Sequence, residues 1–212
     1  MSQVLEGTLA DPLLFDSAIS HLKRADATLS SLILRHGKIE FTPSDDIFSS
    51  LVYSMISQQL STKVADAISS RVEKLLGGAK LTPAGFKKVR SERLRKAGMS
   101  PQKITYLRDL CKRVQQGSID LRSLKKKTDD QVLSELDRIR GVGPWTAKMI
   151  LIFCLGRPDV IAPQDVGLQG AIRKVYSLRR PPGKDQIEKI SISWHPFCSV
   201  ASLYLWKERD SD

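Results

Sequence analysis

The sequence predicts an all-α fold, and three observations carry that prediction. Apolar residues recur three and four positions apart along most of the chain, which is the spacing of one helix face. No stretch of useful length alternates apolar and polar residues in the way that a half-buried strand does. Several segments open with residues typical of helix N termini. A chain of 212 residues forms one domain, or two small lobes that share a core.

The first half of the chain contains helical stripes separated by one clear turn. A short helix ends at Leu94, and the next covers Lys103–Val114, with a turn over residues 98–101 between them. Two earlier stripes are formed by Leu51, Met55 and Ile56, and then by Val64, Ala67, Ile68 and Leu75.

Start signals define the helices of the second half. Thr128 is followed three residues later by Gln131, which is the capping-box pattern. Pro144 suits the first position of the next helix, because proline has no amide hydrogen to leave unpaired there. Asp165 precedes a further amphipathic segment, and a last helix is predicted from about residue 196 to about residue 206.

The charge of the chain is concentrated in one stretch. The whole chain has 34 Lys and Arg against 23 Asp and Glu, a net charge of +11. Residues 71–127 contain 17 basic and 4 acidic residues, so 17 − 4 = +13 lies in this stretch and the rest of the chain is close to neutral. A concentrated positive field attracts a polyanion and favours nucleic acid as the partner. The alternative is a solvated, lysine-rich surface.

Several other classes of protein are not expected. Three cysteines that lie far apart, Cys111, Cys154 and Cys198, predict reduced thiols and no disulfide framework. The three histidines are scattered along the chain, and no metal site is predicted. No apolar run reaches the roughly 18 residues of a membrane span, and the N-terminal sequence does not have the pattern of a secretory signal.

The most informative segment runs from residue 136 to residue 148 and predicts a helical hairpin. It places the tight turn G-V-G between two helices, and its glycines, Gly141 and Gly143, let the backbone come close to a phosphate. The N–H groups of the turn and the N terminus of the following helix form an anion site, to which Lys148 adds a charge. Such a site binds the DNA backbone and does not read its sequence. The alternative is a helical corner that needs glycine only to turn.

With this string, L-x-x-I-x-G-V-G-P-W-T-A, the chain resembles the helix-hairpin-helix DNA glycosylases, in the alkylpurine (3-methyladenine) branch of fungal and bacterial type. The resemblance covers roughly residues 45–206 and has its elements in order. They are F-S-S-L-V-Y-S-M-I-S-Q-Q-L-S, A-G-M-S-P-Q-K, the hairpin, D-V-G-L, and W-H-P-F-C-S-V-A-S-L-Y-L-W.

The resemblance implies a two-lobed helical fold and one glycosylase domain over residues 1–212. Lobe one would cover about residues 45–155, including the hairpin at 136–148. Lobe two would combine the N-terminal segment with about residues 156–212. A flipped nucleotide would enter a cleft between the lobes.

Asp165 is the candidate catalytic residue. An aspartate before an amphipathic helix is most often an N-cap, but the resemblance places the catalytic carboxylate of the family here, and capping would hold that carboxylate rigid. The sequence departs from the family pattern nearby, because Gln164 replaces the first acid of Pro-x-Asp-Asp and Pro163 lies one place later. Cys198 stands where the family often has arginine.

The resemblance also assigns the remaining site residues. Trp145 stands where related glycosylase/lyases have a nucleophilic lysine, which implies an enzyme that does not nick the strand. Lys103 follows the predicted wedge loop and could hold a phosphate. The DNA-backbone residues are Gly141, Val142, Gly143, Thr146 and Lys148; the base-pocket residues are Trp145, Met149, Trp206 and Tyr53; the wedge or gap-filling residues are Gln58, Gln59, Ser61, Met99 and Ser100. The alternative for Trp145, Met149 and Trp206 is an ordinary place in the core, and the alternative for the two glutamines is polar helix surface.

The expected function is therefore monofunctional hydrolysis of the N-glycosidic bond of alkylated purines, of the 3-methyladenine and 7-methylguanine type, after base flipping in base excision repair. A second hypothesis is a weakly active or inactive protein that binds lesions or abasic sites, and a third is an adaptor without a pocket. The expected partner is double-stranded DNA, bound by a monomer that does not engage a membrane. No cofactor is expected beyond a monovalent cation that the family resemblance suggests at the hairpin. A nuclear location follows if the source is eukaryotic, and a cytoplasmic or nucleoid location otherwise.

Overall fold

The computed structural model describes residues 7–78 and 80–211, and the regular structure in these residues is entirely helical. Two short 3₁₀ helices, Ser123–Lys126 and Ser191–Trp194, accompany twelve α-helices. The α-helices are α1 Pro12–Ala25, α2 Ala27–His36, α3 Ile47–Ser57, α4 Thr62–Leu75, α5 Pro83–Lys88, α6 Ser91–Lys96, α7 Pro101–Gln115, α8 Asp129–Asp137, α9 Pro144–Phe153, α10 Val166–Val175, α11 Lys184–Ile190 and α12 Cys198–Asp210. The all-α prediction is confirmed.

Most predicted helix starts are found where the sequence placed them. Thr128 and Gln131 form a complete capping box at α8, because each side chain accepts a hydrogen bond from the other residue's backbone N–H. Pro144 begins α9, and Asp165 caps α10. The predicted bounds of the last helix are wrong by a few residues at each end. The Phe197 N–H donates to the Trp194 carbonyl oxygen at the end of the preceding 3₁₀ helix, so α12 begins only at Cys198. At its other end the helix continues to Asp210.

The chain divides into two compact units. The first combines the described residues up to Pro43 with those from Leu151 onward, and the second is 44–150. The sequence prediction placed the second boundary near residue 155, whereas the contacts divide the chain within α9.

In the first unit, α12 is the central helix. It contacts α1, α2 and α10, and its residues from Cys198 to Leu205 are all buried. Burying one large aliphatic side chain is worth about 1.5–3 kcal/mol, so this apolar helix is a main source of the unit's stability. The unit is assembled from both ends of the sequence, and its core also contains Leu22, Leu29 and Trp194.

In the second unit, α7 takes the central place. It contacts α3, α5 and α6, with Ile104, Leu107 and Leu110 buried. The Arg108 guanidinium extends from α7 and donates to the carbonyl oxygens of Phe86 and Val89 near the end of α5. These two bonds connect α7 to the C-terminal end of α5, where the Phe86 carbonyl also accepts the Val89 N–H. None of the helices in the described part of the chain has both the length and the apolar character needed to cross a membrane.

Candidate active site and nucleic-acid interface

The hairpin turn between α8 and α9 has the backbone that the two glycines predict. Gly141 has φ +83°, a conformation that side chains other than glycine rarely adopt, and the Tyr106 ring lies directly against its Cα. Val142 N–H donates to the Ile139 carbonyl at 3.0 Å and closes the turn. At Gly143, by contrast, a β-carbon would meet nothing within 4 Å. The open side of the turn is therefore at Gly143, next to the N terminus of α9.

This arrangement can bind a phosphate through backbone groups. The first N–H groups of a helix have no acceptor within it and carry the positive end of the helix dipole. The side chains of Val142 and Thr146 are buried, so any contact they make with DNA would come from their backbone. Lys148, one turn into α9, is half-buried. The five DNA-backbone residues named from the sequence thus lie in one turn and the first turn of one helix.

Gln58 stabilises the hairpin by a hydrogen bond, and both belong to the second unit. Its side-chain N–H donates to the Gly141 carbonyl oxygen at 2.7 Å, so its amide group is engaged inside the protein. The Lys103 ammonium in turn donates to the carbonyl oxygens of Ile56 and Gln58, at 2.7 and 2.8 Å. Burial lowers the pKa of Lys103 below its usual value. Two of the three N–H groups of Lys103 thus bind the C-terminal end of α3, and its contact with a phosphate stays a prediction.

Gln59 differs from its neighbour. It is exposed and has φ +58°, in the left-handed region where residues other than glycine are uncommon. A turn in which Leu60 N–H donates to Ser57 O holds this conformation. Ser61 is also exposed, and its side chain makes no capping bond at the start of α4. Gln59 and Ser61 therefore stay candidates for contact with DNA, and strained backbone of this kind is often found at functional sites.

The predicted wedge loop at Met99 and Ser100 is only partly accessible. Met99 is 3% exposed and belongs to the core, so its proposed insertion into the duplex does not fit this structure. Its backbone follows Gly98, whose φ of +111° turns the chain inward. Ser100 is exposed and caps α7 by accepting the Lys103 backbone N–H. Of the two residues, Ser100 alone keeps the wedge role as a prediction.

Asp165 is held by two hydrogen bonds in the first unit. Its Oδ1 accepts the Leu168 backbone N–H at 2.6 Å, as an N-cap does, and the Trp206 indole N–H at 2.9 Å. The Trp206 ring packs against Phe153 with ring centroids 5.4 Å apart. The carboxylate is half-buried and its orientation is fixed by an amide and by a packed aromatic side chain. A carboxylate held in this way can face a developing positive charge without having to reorient.

The unusual sequence before Asp165 still forms a stable turn. The Asp165 N–H donates to the Ala162 carbonyl at 2.9 Å, and the Gln169 side chain donates to the Pro163 carbonyl at 2.8 Å. Gln164, which replaces the first acid of the family pattern, is exposed. The replacement therefore leaves the hydrogen bonds that hold the Asp165 carboxylate in place.

The other predicted base-pocket residues belong to the second unit and differ in exposure. Trp145 is half-buried in the first turn of α9, whereas Met149 is only 8% exposed and lies in the core side of that helix. Tyr53 is 39% exposed, and its hydroxyl donates to Asp66 at 2.7 Å. Burial and the Asp66 carboxylate raise the pKa of Tyr53, which therefore stays a neutral phenol at physiological pH. Trp145 and Tyr53 keep an aromatic surface that could stack on a base; their role stays a prediction.

Tyr106 and Lys103 of α7 support the hairpin, a role that neither residue was given from the sequence. Tyr106 packs under Gly141, and Lys103 fixes the backbone of Gln58. Tyr106 stands one helical turn after Lys103 on α7, so one face of this helix supports the hairpin and the turn after α3. No sequence signal marked Tyr106, since an aromatic residue on an amphipathic helix is ordinary, and Lys103 was singled out for a different role.

A monovalent cation at the hairpin would need backbone carbonyl oxygens as ligands. Two carbonyls of this turn already accept protein hydrogen bonds, Ile139 from Val142 and Gly141 from Gln58. Each of these oxygens has a second lone pair, so the cation at the hairpin stays a prediction, and no step below depends on one.

Comparison with known proteins identifies the family of the chain. Residues 52–196 match the family described as HhH-GPD superfamily base excision DNA repair protein. The Bacillus subtilis protein YfjP is 30% identical over 186 residues, which cover 85% of this chain. The chain spans 65% of the length of that relative.

Two solved structures are similar over nearly the whole chain. DNA-3-methyladenine glycosidase from Bacillus halodurans is 36% identical with a TM-score of 0.78, covering 96% of this chain and 91% of that one. The Schizosaccharomyces pombe 3-methyladenine DNA glycosylase Mag1, in complex with abasic DNA, is 28% identical with a TM-score of 0.83. That match covers 92% of this chain and 97% of the other.

Proposed function

Since the chain belongs to the HhH-GPD superfamily of base excision DNA repair proteins, we propose that it is a monofunctional DNA glycosylase that removes alkylated purines. The similar solved structures that are named as 3-methyladenine glycosylases support this substrate class. The observation that carries the proposal is the Asp165 carboxylate, which two N–H donors hold at the N terminus of α10.

The hairpin binds the DNA backbone in this proposal. The basic stretch of residues 71–127 attracts the duplex, and the N–H groups at Gly143 and at the start of α9 receive a phosphate. Gln59, Ser61 and Ser100 are exposed and can contact the duplex where a nucleotide has left the stack. Extruding a base costs a few kcal/mol, and the cost is lowest for damaged bases, which favours lesions over normal purines.

Asp165 stabilises the sugar while the base departs. Alkylation at N3 or N7 makes the purine cationic, so the C1′–N bond breaks with its electron pair going to the base, which leaves as a neutral molecule. The remaining positive charge on the sugar lies opposite the carboxylate, whose fixed orientation lowers the energy of this state. Water then adds to C1′ and loses a proton to the carboxylate or to solvent. The product is an abasic site in an intact strand, because the chain has Trp145 and no lysine at the nucleophile position.

The test is release of free base from DNA treated with a methylating agent. We expect the purified chain to release 3-methyladenine, and 7-methylguanine if its range is broad, measured by chromatography. Strand breaks should appear only after hot alkali, which cleaves abasic sites. Asp165→Asn should abolish release, while Asp185→Asn, an exposed carboxylate at the start of α11, should not change it.

The second candidate is a protein that binds lesions or abasic sites without excising bases. The neutral Gln164 in place of an acid favours it, because one negative charge of the family pattern is missing. The same assay separates the two. Tight binding to abasic DNA without release of any alkylated base would support the second candidate and contradict the first.

A further inference from the structure

Three donor atoms of different chemistry meet at the start of α12, in the first unit. The Nδ1 atom of His195 lies 2.8 and 2.9 Å from the two carboxylate oxygens of Asp159 and 3.6 Å from the Cys198 sulfur. The donor atoms of all three residues lie within 4.8 Å of one another. Asp159 is 39 residues from Cys198 in sequence, so no metal-binding spacing could reveal this cluster.

We propose that Asp159, His195 and Cys198 form a Zn²⁺ site in which water is the fourth ligand. Zinc binds cysteine sulfur at about 2.3 Å and histidine nitrogen at about 2.0–2.1 Å in tetrahedral geometry. These bond lengths place the sulfur and nitrogen ligands about 3.6 Å apart and the nitrogen and oxygen ligands about 3.3 Å apart. The Sγ–Nδ1 distance already equals the first value, and the carboxylate would move outward from Nδ1 by about half an ångström for the second. The sulfur and the carboxylate oxygen lie within 4.8 Å of each other.

The surroundings of the cluster suit an ion that enters from solvent. Cys198 is completely buried, whereas the side chains of His195 and Asp159 are 46% and 27% exposed. An ion can therefore approach along the histidine and aspartate and reach the sulfur behind them. The fourth position then faces solvent, which supplies the water.

The Asp159 carboxylate is also oriented by the backbone. Its Oδ1 accepts the Cys198 backbone N–H at 3.2 Å, which fixes the carboxylate next to the thiol. Such hydrogen bonds to a metal ligand are a regular feature of protein metal sites. Without an ion the thiol hydrogen is directed to the Ser191 carbonyl, with the sulfur 3.8 Å from that oxygen.

Binding requires only a proton exchange. The thiol proton of Cys198 leaves to solvent as the bond between sulfur and zinc forms, and His195 binds through Nδ1 in its neutral form. No oxidant or reductant is involved. The ion would join the loop that contains Asp159 to the first turn of α12, the helix that also contains Trp206, and it should stabilise the folded state.

The test uses Co²⁺ as a spectroscopic substitute for zinc, added to the reduced, metal-free chain in the absence of DNA. We expect one Co²⁺ per chain, with a thiolate charge-transfer band in the near ultraviolet and the visible bands of tetrahedral cobalt. Zinc should displace it at one equivalent and raise the melting temperature. Loss of a direct ligand should weaken binding by at least about 100-fold, since loss of a supporting hydrogen bond alone weakens metal sites by about 10–100-fold.

Three variants and one control assign the ligands. Cys198→Ser should remove the charge-transfer band, and His195→Gln and Asp159→Asn should weaken binding, while Cys111→Ser, a buried thiol on α7, should leave the spectrum unchanged. His195→Gln changes an exposed side chain and decides the question if Cys198→Ser does not fold. Absence of a stoichiometric cobalt complex, or unchanged binding in His195→Gln, would overturn the proposal. Neither result bears on base excision, because metal binding is measured without DNA.

Discussion

The Asp165 carboxylate accepts a hydrogen bond from the backbone of α10 and another from the indole of Trp206. Its structural and chemical contributions can be separated by two substitutions. Asparagine caps a helix as well as aspartate does, so Asp165→Asn should change the free energy of unfolding by only a few tenths of a kcal/mol, whereas Asp165→Ala should lower it by about 0.5–2 kcal/mol. Urea denaturation measures both.

Base release by the same two variants completes the comparison. Both should lose excision of 3-methyladenine, because neither has the negative charge at this position. An Asp165→Asn variant that is folded and still excises at the wild-type rate would show that the carboxylate is only a cap.

The two glycines of the hairpin should respond to substitution in opposite ways. Gly141→Ala places a β-carbon against the Tyr106 ring in a left-handed conformation, and each effect costs about 1–2 kcal/mol or more. At Gly143 a β-carbon meets nothing within 4 Å, so we expect Gly143→Leu to have a stability close to wild type, with a side chain that covers the path of a phosphate. Thermal unfolding and binding to a DNA duplex of any sequence should therefore separate the variants.

Two results would contradict a phosphate contact at Gly143. If Gly143→Leu binds duplex DNA as tightly as wild type does, the hairpin does not grip the phosphate at that position. Weakened binding that depends strongly on the base sequence would also argue against contact with the backbone alone.

Individual side chains were the hardest part to predict from sequence. Gln58 and Gln59 are adjacent and identical, yet the first donates to Gly141 and the second is exposed in a left-handed conformation. That difference arises because α3 ends between Ser57 and Gln58, which the sequence does not mark. Met99 could not be identified as a core residue for a similar reason, since its burial depends on how Gly98 turns the chain.

At the scale of elements, a charged cluster ties α12 to α2 and α10. The buried Glu208 of α12 accepts from Arg35 at 2.8 Å and lies 2.6 Å from His36 Nε2, and Lys174 is 3.2 Å away. Burial raises the pKa of Glu208, but the hydrogen bonds from His36 and Lys174 and the positive charges of Arg35 and Lys174 outweigh it, and the pKa lies below its usual 4.5. The folded state therefore favours the ionised carboxylate.

A carboxylate whose pKa is lowered on folding stabilises the protein above its unfolded pKa, and this stability is lost as the pH falls through the folded value. Glu208→Gln should thus destabilise the chain clearly at pH 7, and the difference from wild type should shrink as the pH is taken below 4.5. Melting temperatures across this range test it. The control is Glu188→Gln on the exposed face of α11, and an equal destabilisation at every pH would show that charge is not the cause.

Helices with strong end signals were predicted well. Thr128, Pro144 and Asp165 each mark the start of a helix by their own chemistry, and all three helices begin there. The N-terminal helices α1 and α2 were not predicted one by one, although Asp11 and Asp26 cap them. These two caps lie before residue 45, where the family motifs begin, so no motif indicated the two helices.

At the scale of the whole molecule, the excess positive charge predicts salt-dependent binding to DNA. Each phosphate that the protein neutralises releases a counterion, so the logarithm of the binding constant should fall linearly with the logarithm of the salt concentration. Lys148→Ala should weaken binding and make this slope shallower by about one unit if it contacts one phosphate. Lys184→Ala, on α11, is the control and should change neither quantity. Fluorescence anisotropy with a labelled duplex measures both variants.

The fold class and the family could be inferred from the sequence because they depend on local patterns, namely helix periodicity and the hairpin string. The assembly of the first unit could not, since it brings α1 and α2 against α12 over most of the chain length. Periodicity shows that a helix has an apolar face but does not show what covers it. For the same reason, the proximity of Asp159, His195 and Cys198 could not be predicted from the sequence.

The ammonium group of Lys103 has a consequence for chemical modification. Two of its N–H bonds are directed to the carbonyls of Ile56 and Gln58, so an amine-reactive acylating reagent should modify it later than the exposed lysines of the same basic stretch. Acylation would remove the positive charge of Lys103 and break these hydrogen bonds. The turn that contains Gln59 would then lose this connection to α7. The rate at which Lys103 is labelled would thus report how often that turn opens, and a bound duplex that holds the turn closed should slow it.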